Sequence, residues 1–416
     1  MSMSTFFSVN LRLLAFGFFA AFFSSFGQTF FIALSSADIR STFRLSHGDF
    51  GLIYASATLS SAGLLIWAGR KIDEVDLRYY TTFVCFGLAL ACLGMAGVDH
   101  AMWLILVIFG LRFMGQGLLG HISSVSMARY FDQHRGKALS LASMGYPLGE
   151  ALFPSIAVAL IATYGWRQMW AGIGITLLFI LVPFMLWLLK GHNERHLFHA
   201  EGKKALERGT KRSDWTRIQV LKDFRFYALL PSFLATSFIF TGLFFHQVHL
   251  IESKGWSLSI FVGFFIIYAI AQIFSAIVTG ILVDRYTAKC MMRFYLIPAI
   301  IGLFIIANHS TLSAGAAFMA FFGLSAGAVG VIHGAIWAET YGTTHLGAIK
   351  ALGTAFMVLS TALSPPIMGI AIDQGIAIET ICIASAAYMV FAAILVVLVF
   401  TRIKWGHNEP AQHFKK

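Results

Sequence analysis

The sequence predicts an all-α polytopic membrane protein whose twelve transmembrane helices form two pseudo-symmetric halves of six. Three observations carry that expectation. The 416-residue chain is 58% hydrophobic and only 12% charged, about half the charge of a soluble globular protein. Apolar runs of roughly 18–25 residues, each long enough to cross a hydrocarbon core of about 30 Å as a helix, recur along its whole length. Matched residues also recur at a separation of 211 positions.

The runs fall near 11–34, 49–68, 79–98, 101–124, 138–162 and 166–189, then near 226–250, 258–280, 291–308, 313–338, 348–371 and 380–401. The first is read as a span and not a cleavable leader, because no Lys or Arg lies in the first ten residues and the apolar stretch is too long for a signal sequence. Cys85, Cys92, Cys290 and Cys382 show neither metal-ligand spacing nor a disulfide framework. Basic residues fix the expected orientation. With the N-terminus inside, 25 Lys and Arg fall in cytoplasmic segments, and only Arg40, Arg44, Arg167 and Lys254 fall outside. Both termini are therefore expected in the cytoplasm of a cell (inner) membrane protein that works as a monomer in the lipid bilayer. Positive-inside bias accounts for the net charge of +11, so nucleic acid is not expected as a partner. The implied domains are 1–189, a cytoplasmic linker 190–225, 226–401 and a cytoplasmic tail 402–416. In the linker, Trp215, Ile218 and Leu221 behind Asp214 as N-cap suggest a short surface helix, beside the alternative of a solvated linker.

The repeat pairs Gly69 with Gly280, Asp73 with Asp284, Tyr130 with Tyr341, His134 with His345, Gly136 with Gly347 and Pro154 with Pro365. Duplicated halves of six spans place a cavity near the bilayer midplane, the geometry of alternating access. Gly280-Ile-Leu-Val-Asp284-Arg285-Tyr-Thr-Ala-Lys289 lies between spans eight and nine. Its counterpart, Gly69-Arg-Lys-Ile-Asp73-Glu74-Val-Asp-Leu-Arg78, lies between spans two and three. Both resemble the cytoplasmic loop motif of the major facilitator superfamily, the second with Glu74 where that family usually has an arginine. The resemblance implies the superfamily's fold and a gating role for Gly69, Asp73, Arg78, Gly280, Asp284, Arg285 and Lys289. The glycines would permit close helix approach, and the aspartates would accept from neighbouring helix N-termini. The loops after spans four and ten look like those of the monocarboxylate and oxalate/formate porter branches, although those branches carry an arginine in span eight where this chain has Gln272.

Arg112 and Glu150 are the two charges placed within apolar runs, each roughly 16–20 Å from the outer end of its span. An unpaired charge there costs at least about 2.5–3.5 kcal/mol on insertion scales. Arg112-Phe-Met-Gly115-Gln116-Gly117 is similar to the superfamily's fourth-span arginine motif. Gly145-Tyr-Pro147-Leu-Gly149 falls where drug/proton antiporters have a Gly-Pro pair, in altered order. Arg112 is expected to receive an anionic group, with Gln116, Gln28, Tyr146, Gln272 and His246 lining the substrate path and Glu150 taking up a proton. The competing reading is an ion pair that staples spans four and five. Gly323-Leu-Ser325-Ala-Gly327 has the serine-hydrolase spelling but lies mid-helix, and no Walker loop or HExxH occurs. The expected protein is not an enzyme and needs no cofactor or metal. It is a secondary carrier of a small-molecule substrate, a small organic anion taken up with a proton. The alternatives are proton-driven efflux of amphipathic compounds and a non-transporting sensor on the same fold.

Overall fold

The structure is a computed structural model that describes residues 3–131, 135–191, 215–342 and 345–402; at 3–9, 73, 135, 217 and 402 only the backbone is described. Among the described residues, eleven helical segments are long and apolar enough to cross a membrane, and a shorter one completes the expected twelve. They are α1 (Asn10–Gly27), α2 (His47–Ile72), α3 (Leu77–Gly97), α4 (Ala101–Tyr130), α5 (Gly136–Tyr164) and α6 (Trp166–Leu188), followed by α7 (Phe224–Phe245), α8 (Leu258–Tyr286), α9 (Ile297–Asn308), α10 (Leu312–Tyr341), α11 (Leu346–Asp373) and α12 (Ile378–Thr401).

Some ends shift, α4 reaching Tyr130 and α8 reaching Tyr286, and three further spans differ from expectation by a break, a turn or a late start. The first was expected to run unbroken over 11–34, but regular α-helix stops at Phe23, tightens to a 3-10 turn over Ser24–Gly27 and breaks at Gln28, whose backbone is extended (φ −82°, ψ 152°). Helix resumes at Thr29–Ile32. The seventh ends at Phe245 and turns at His246 into a separate short helix, Gln247–Ser253. The ninth begins at Ile297, not 291, because Pro298 suits the first turn of a helix and cannot donate within one. Its 12 residues span about 18 Å. Ser325 of α10 repairs the irregular entry, accepting from Ala299 N–H at 2.9 Å and donating to Tyr295 O at 2.9 Å. The hydrolase-like serine is thus a packing residue.

The chain divides into two compact units. One comprises 1–209 together with 242–269 and 362–375; the other comprises 210–241, 270–361 and 376–416. In the first, α6 packs on α3, α4 on α1 and α2, and the start of α8 on α5. Ser123 of α4 donates to Gly17 O of α1 at 2.7 Å. Trp170 of α6 donates to Ser35 Oγ at 3.2 Å and meets Phe31 edge-on, which fixes the segment after the break. In the second, α9 lies against α10 and α12. A short helix, Arg217–Lys222, also belongs here. Its N-cap is Thr216 and not Asp214, because Thr216 and Gln219 form a capping box. Ile218 on it is 67% exposed, as a surface helix requires. The rest of the expected linker, 192–214, and the tail beyond 402 lie outside the described residues.

Candidate functional site

The break in α1 and an irregularity in α4 face each other, and Arg112 sits where they meet. Leu111–Leu119 of α4 is wound as a π-helix, a form frequent at functional sites, although a second such turn at Leu177–Leu181 of α6 carries no candidate residue. Gly27 and Gly115 let the two backbones touch. A Cβ on Gly115 would lie 2.8 Å from Gly27 Cα, and one on Gly27 would run into Leu111 O and Gln116 N. Non-helical backbone at membrane depth is tolerated only where protein or a cavity satisfies its freed polar groups. Here a side chain does so: the buried Arg112 donates through Nη1 to Gly27 O at 3.1 Å, with Thr29 Oγ1 at 3.5 Å.

Tyr54 of α2 completes the setting. Its ring lies 5.1 Å from the guanidinium carbon, and its hydroxyl is 2.6 Å from Thr29 Oγ1. A cation over an aromatic face is stabilised by about 0.5–1 kcal/mol at exposed sites and by about 2 kcal/mol when desolvated. What the guanidinium lacks is an anion. It has no ion-pair partner among the described residues, and its Nε is buried without a hydrogen-bond partner. Gln116 Oε1, Thr58 Oγ1 and Ser25 Oγ are buried and unpartnered on the same three helices. Thr58 is one turn beyond Tyr54, so both project from one face of α2. Buried polar atoms normally find partners, so this concentration of unmet donors and acceptors marks the region as the candidate site.

Glu150 of α5 flanks the same break without touching Arg112. Gly149 beside it packs on Phe22 O, and a Cβ there would meet Ser25 Oγ. Glu150 is half-buried, its Oε2 is covered and unpartnered, and Tyr268 of α8 is within its electrostatic reach. The two midplane charges therefore do not form the ion pair that would staple α4 to α5.

The other expected site residues are dispersed. Gln28 supplies the break, its carbonyl accepting from Phe31 and Ile32 N–H at 3.2 Å each. Tyr146 bonds Ser124 and covers Gly120; Ser124 lies about 18 Å along α4 from Arg112. His246 is held by Pro365 O at 2.9 Å, at the end of the first unit remote from its basic loops. Gln272 lies in the second unit, where its carbonyl packs on Gly327 and its Oε1 is unpartnered.

The loop motifs are built from local contacts. The Gly69 carbonyl accepts from His121 Nε2–H at 3.1 Å, Arg78 pairs with Asp76 at 3.3 Å, and Arg129 donates to Ile72 O at 3.1 Å. The Asp73 side chain lies outside the described residues. In the second copy a Cβ on Gly280 would meet nothing within 4 Å, so close helix approach is not what that glycine provides here. Arg285 lies 5.2 Å from the Tyr286 ring. The acceptor for the helix N-terminus after Thr287 is not Asp284 but Glu339 of α10, which takes Ala288 N–H at 2.7 Å and Lys289 N–H at 3.2 Å.

A fold of twelve apolar helices, one of them broken at mid-span, is the architecture of a polytopic membrane transporter. The chain belongs to the major facilitator superfamily, whose family model matches residues 17–307. A curated relative, the aspyridones efflux protein apdF of Emericella nidulans, is 24% identical over 294 residues, 68% of this chain. The chain spans 57% of that protein's length. Among solved structures, a bacterial homologue of the human lysosomal transporter Spinster, in an inward-facing and unoccupied conformation, superposes with a TM-score of 0.68 at 15% identity, covering 93% of this chain and 96% of that one. The nucleoside transporter NupG gives 0.65 at 16% identity, covering 94% and 98%. These likenesses bear on the fold.

Proposed function

We propose that this protein is a secondary carrier that moves a small organic anion by alternating access, with a proton as the coupling ion. The observation that supports this reading best is the buried Arg112 guanidinium, which has no carboxylate partner and keeps one donor unmet. Arginine is the side chain suited to bidentate capture of a carboxylate. Thr58, Gln116 and Thr29 supply neutral contacts around it, and Glu150 carries the proton. The protein works as a monomer in the cell membrane with both termini cytoplasmic. Impermeant labelling that reaches His309→Cys and misses Gly209→Cys tests that orientation.

Counterflow in proteoliposomes tests the substrate class. Preloaded monocarboxylates and dicarboxylates should drive uptake of a labelled anion, whereas sugars, nucleosides and cationic amphiphiles should not. Export of an amphipathic compound is the second reading, favoured by the Emericella nidulans relative's being an efflux protein. Proton-driven extrusion of a neutral or cationic amphiphile, with no anion counterflow, would select it.

A further inference from the structure

At the end of the first unit remote from Arg70 and Arg129, three imidazoles converge where α7 and α11 meet α2. The His47 ring lies 4.7 Å from that of His249 and 5.6 Å from that of His246. Ser36, Arg40, Phe50 and Phe245 line the same recess as the three rings, with the two phenylalanine rings 5.1 Å apart.

The contacts around the rings are those of a closed fastening. Asp373, the last residue of α11, accepts from His47 N–H at 3.0 Å and Gly48 N–H at 2.7 Å, so it caps the N-terminus of α2. A Cβ on Gly369 would lie 2.5 Å from His47 O, and one on Gly51 would lie 2.7 Å from Pro366 Cα, so α11 is seated directly on α2. His246 bonds Pro365 O, and Gln247 donates to Phe30 O at 2.7 Å.

We propose that His47, His246 and His249 form an acid-released latch: neutral, they let the ends of α7 and α11 seat on α1 and α2, and protonated, they drive them off. The charge count gives the sign. Arg40 is buried enough to hold its guanidinium below the ordinary value, with Glu252 and Asp373 acting in the opposite sense. Against those two carboxylates and Arg40, one imidazolium is balanced and a second is not. Asp38 and Asp49 on the adjoining segments are matched in number by Arg44 and Lys254, and Asp49 is already engaged by Ser46 N–H. A second proton therefore places like charges about one ring contact apart, at a helix N-terminus whose dipole already disfavours a cation. The closed state binds fewer protons than the released one, so lowering the pH through the ordinary imidazole range favours release. On the orientation proposed above, this latch samples the outer medium, and it acts apart from the proton carried by Glu150.

The test is a distance measurement on the purified full chain in nanodiscs, with Cys290→Ser to remove the one partly exposed native cysteine and spin labels at Thr42→Cys and Gln374→Cys. Between about pH 7.5 and about pH 5, a longer-distance population should grow at least threefold. It should lose that response in His47→Gln/His249→Gln. Asp373→Asn should raise the same population at pH 7.5 while keeping its growth on acidification. That variant keeps the test decisive where the double histidine variant does not fold. An unchanged distribution at low pH, or an acid response that survives loss of both histidines, would overturn the latch.

Discussion

Replacing Arg112 by lysine keeps one positive charge at the break in α1 but removes the planar fork. In the structure one arm of that fork is committed to Gly27 O at 3.1 Å, and Nε is left without a partner. A lysine ammonium reaching the same carbonyl has a single compact head to divide between backbone and ligand. The anion then loses one charge-assisted hydrogen bond, worth about 1.5–3 kcal/mol. At about 1.4 kcal/mol per factor of ten, affinity falls about 10- to 100-fold. Folding should change far less, because the charge stays and the weakened contact with Tyr54 accounts for about 1 kcal/mol. The assay pairs thermal unfolding of the purified protein with equilibrium binding and counterflow of a labelled carboxylate in proteoliposomes. Binding and counterflow within about twofold of the parent, in a variant that folds normally, would refute Arg112 as the anion receptor.

Three further outcomes follow from the same geometry. Glu150→Gln should abolish accumulation driven by an inward proton gradient while counterflow persists; a variant that still concentrates substrate would exclude Glu150 as the proton carrier. Thr58→Val removes an unpartnered buried hydroxyl, so stability should hold or rise, while KM should rise about fivefold to tenfold if the hydroxyl meets substrate, as one lost hydrogen bond implies; an unchanged KM would remove Thr58 from the site. Gly27→Ala drives a Cβ into Leu111 O and Gln116 N and should cost about 1–3 kcal/mol of stability, read as a lowered unfolding temperature; an unaltered one would mean that α1 and α4 do not need that contact.

Span number was legible because apolar length and loop charge are properties of composition, which survive any detail of packing. The breaks were not. Ser24-Ser25-Phe26-Gly27-Gln28 carries no proline, and only the approach of Gly115 shows why the helix yields there. Conversely, Pro154 sits inside a continuous α5 and Pro365 and Pro366 inside a continuous α11. Arg112 and Glu150 stood out in sequence because a charge in an apolar run is costly wherever it points. Tyr54, Thr29 and Thr58 did not, since a hydroxyl in a membrane helix becomes informative only when the fold sets it beside a guanidinium. His246 was legible as a polar residue at a span end, but its role turns on Pro365 O, which lies 119 positions away.

The separation of Arg112 from Glu150 changes how an anion and a proton would be coupled. The sequence left open an ion pair between the two, which would set the carboxyl directly on the arginine. In the structure the freed Gly27 carbonyl and the Tyr54 ring solvate the guanidinium instead, and the carboxyl stands apart. Coupling can then rest on charge balance without contact. With Glu150 ionised and no anion bound, the two charges cancel. With a proton on Glu150 and a monovalent anion at Arg112, they cancel again. Anion alone leaves a net −1 in the membrane interior and proton alone a net +1, each costing at least about 2.5–3.5 kcal/mol. On the proposed function the half-loaded carriers are the ones disfavoured in crossing, so anion and proton would move together. In Glu150→Gln the balance is met only when anion is bound, so the loaded carrier still exchanges while the empty one returns with an uncompensated positive charge. Loss of net uptake with retained counterflow is the signature of that arithmetic.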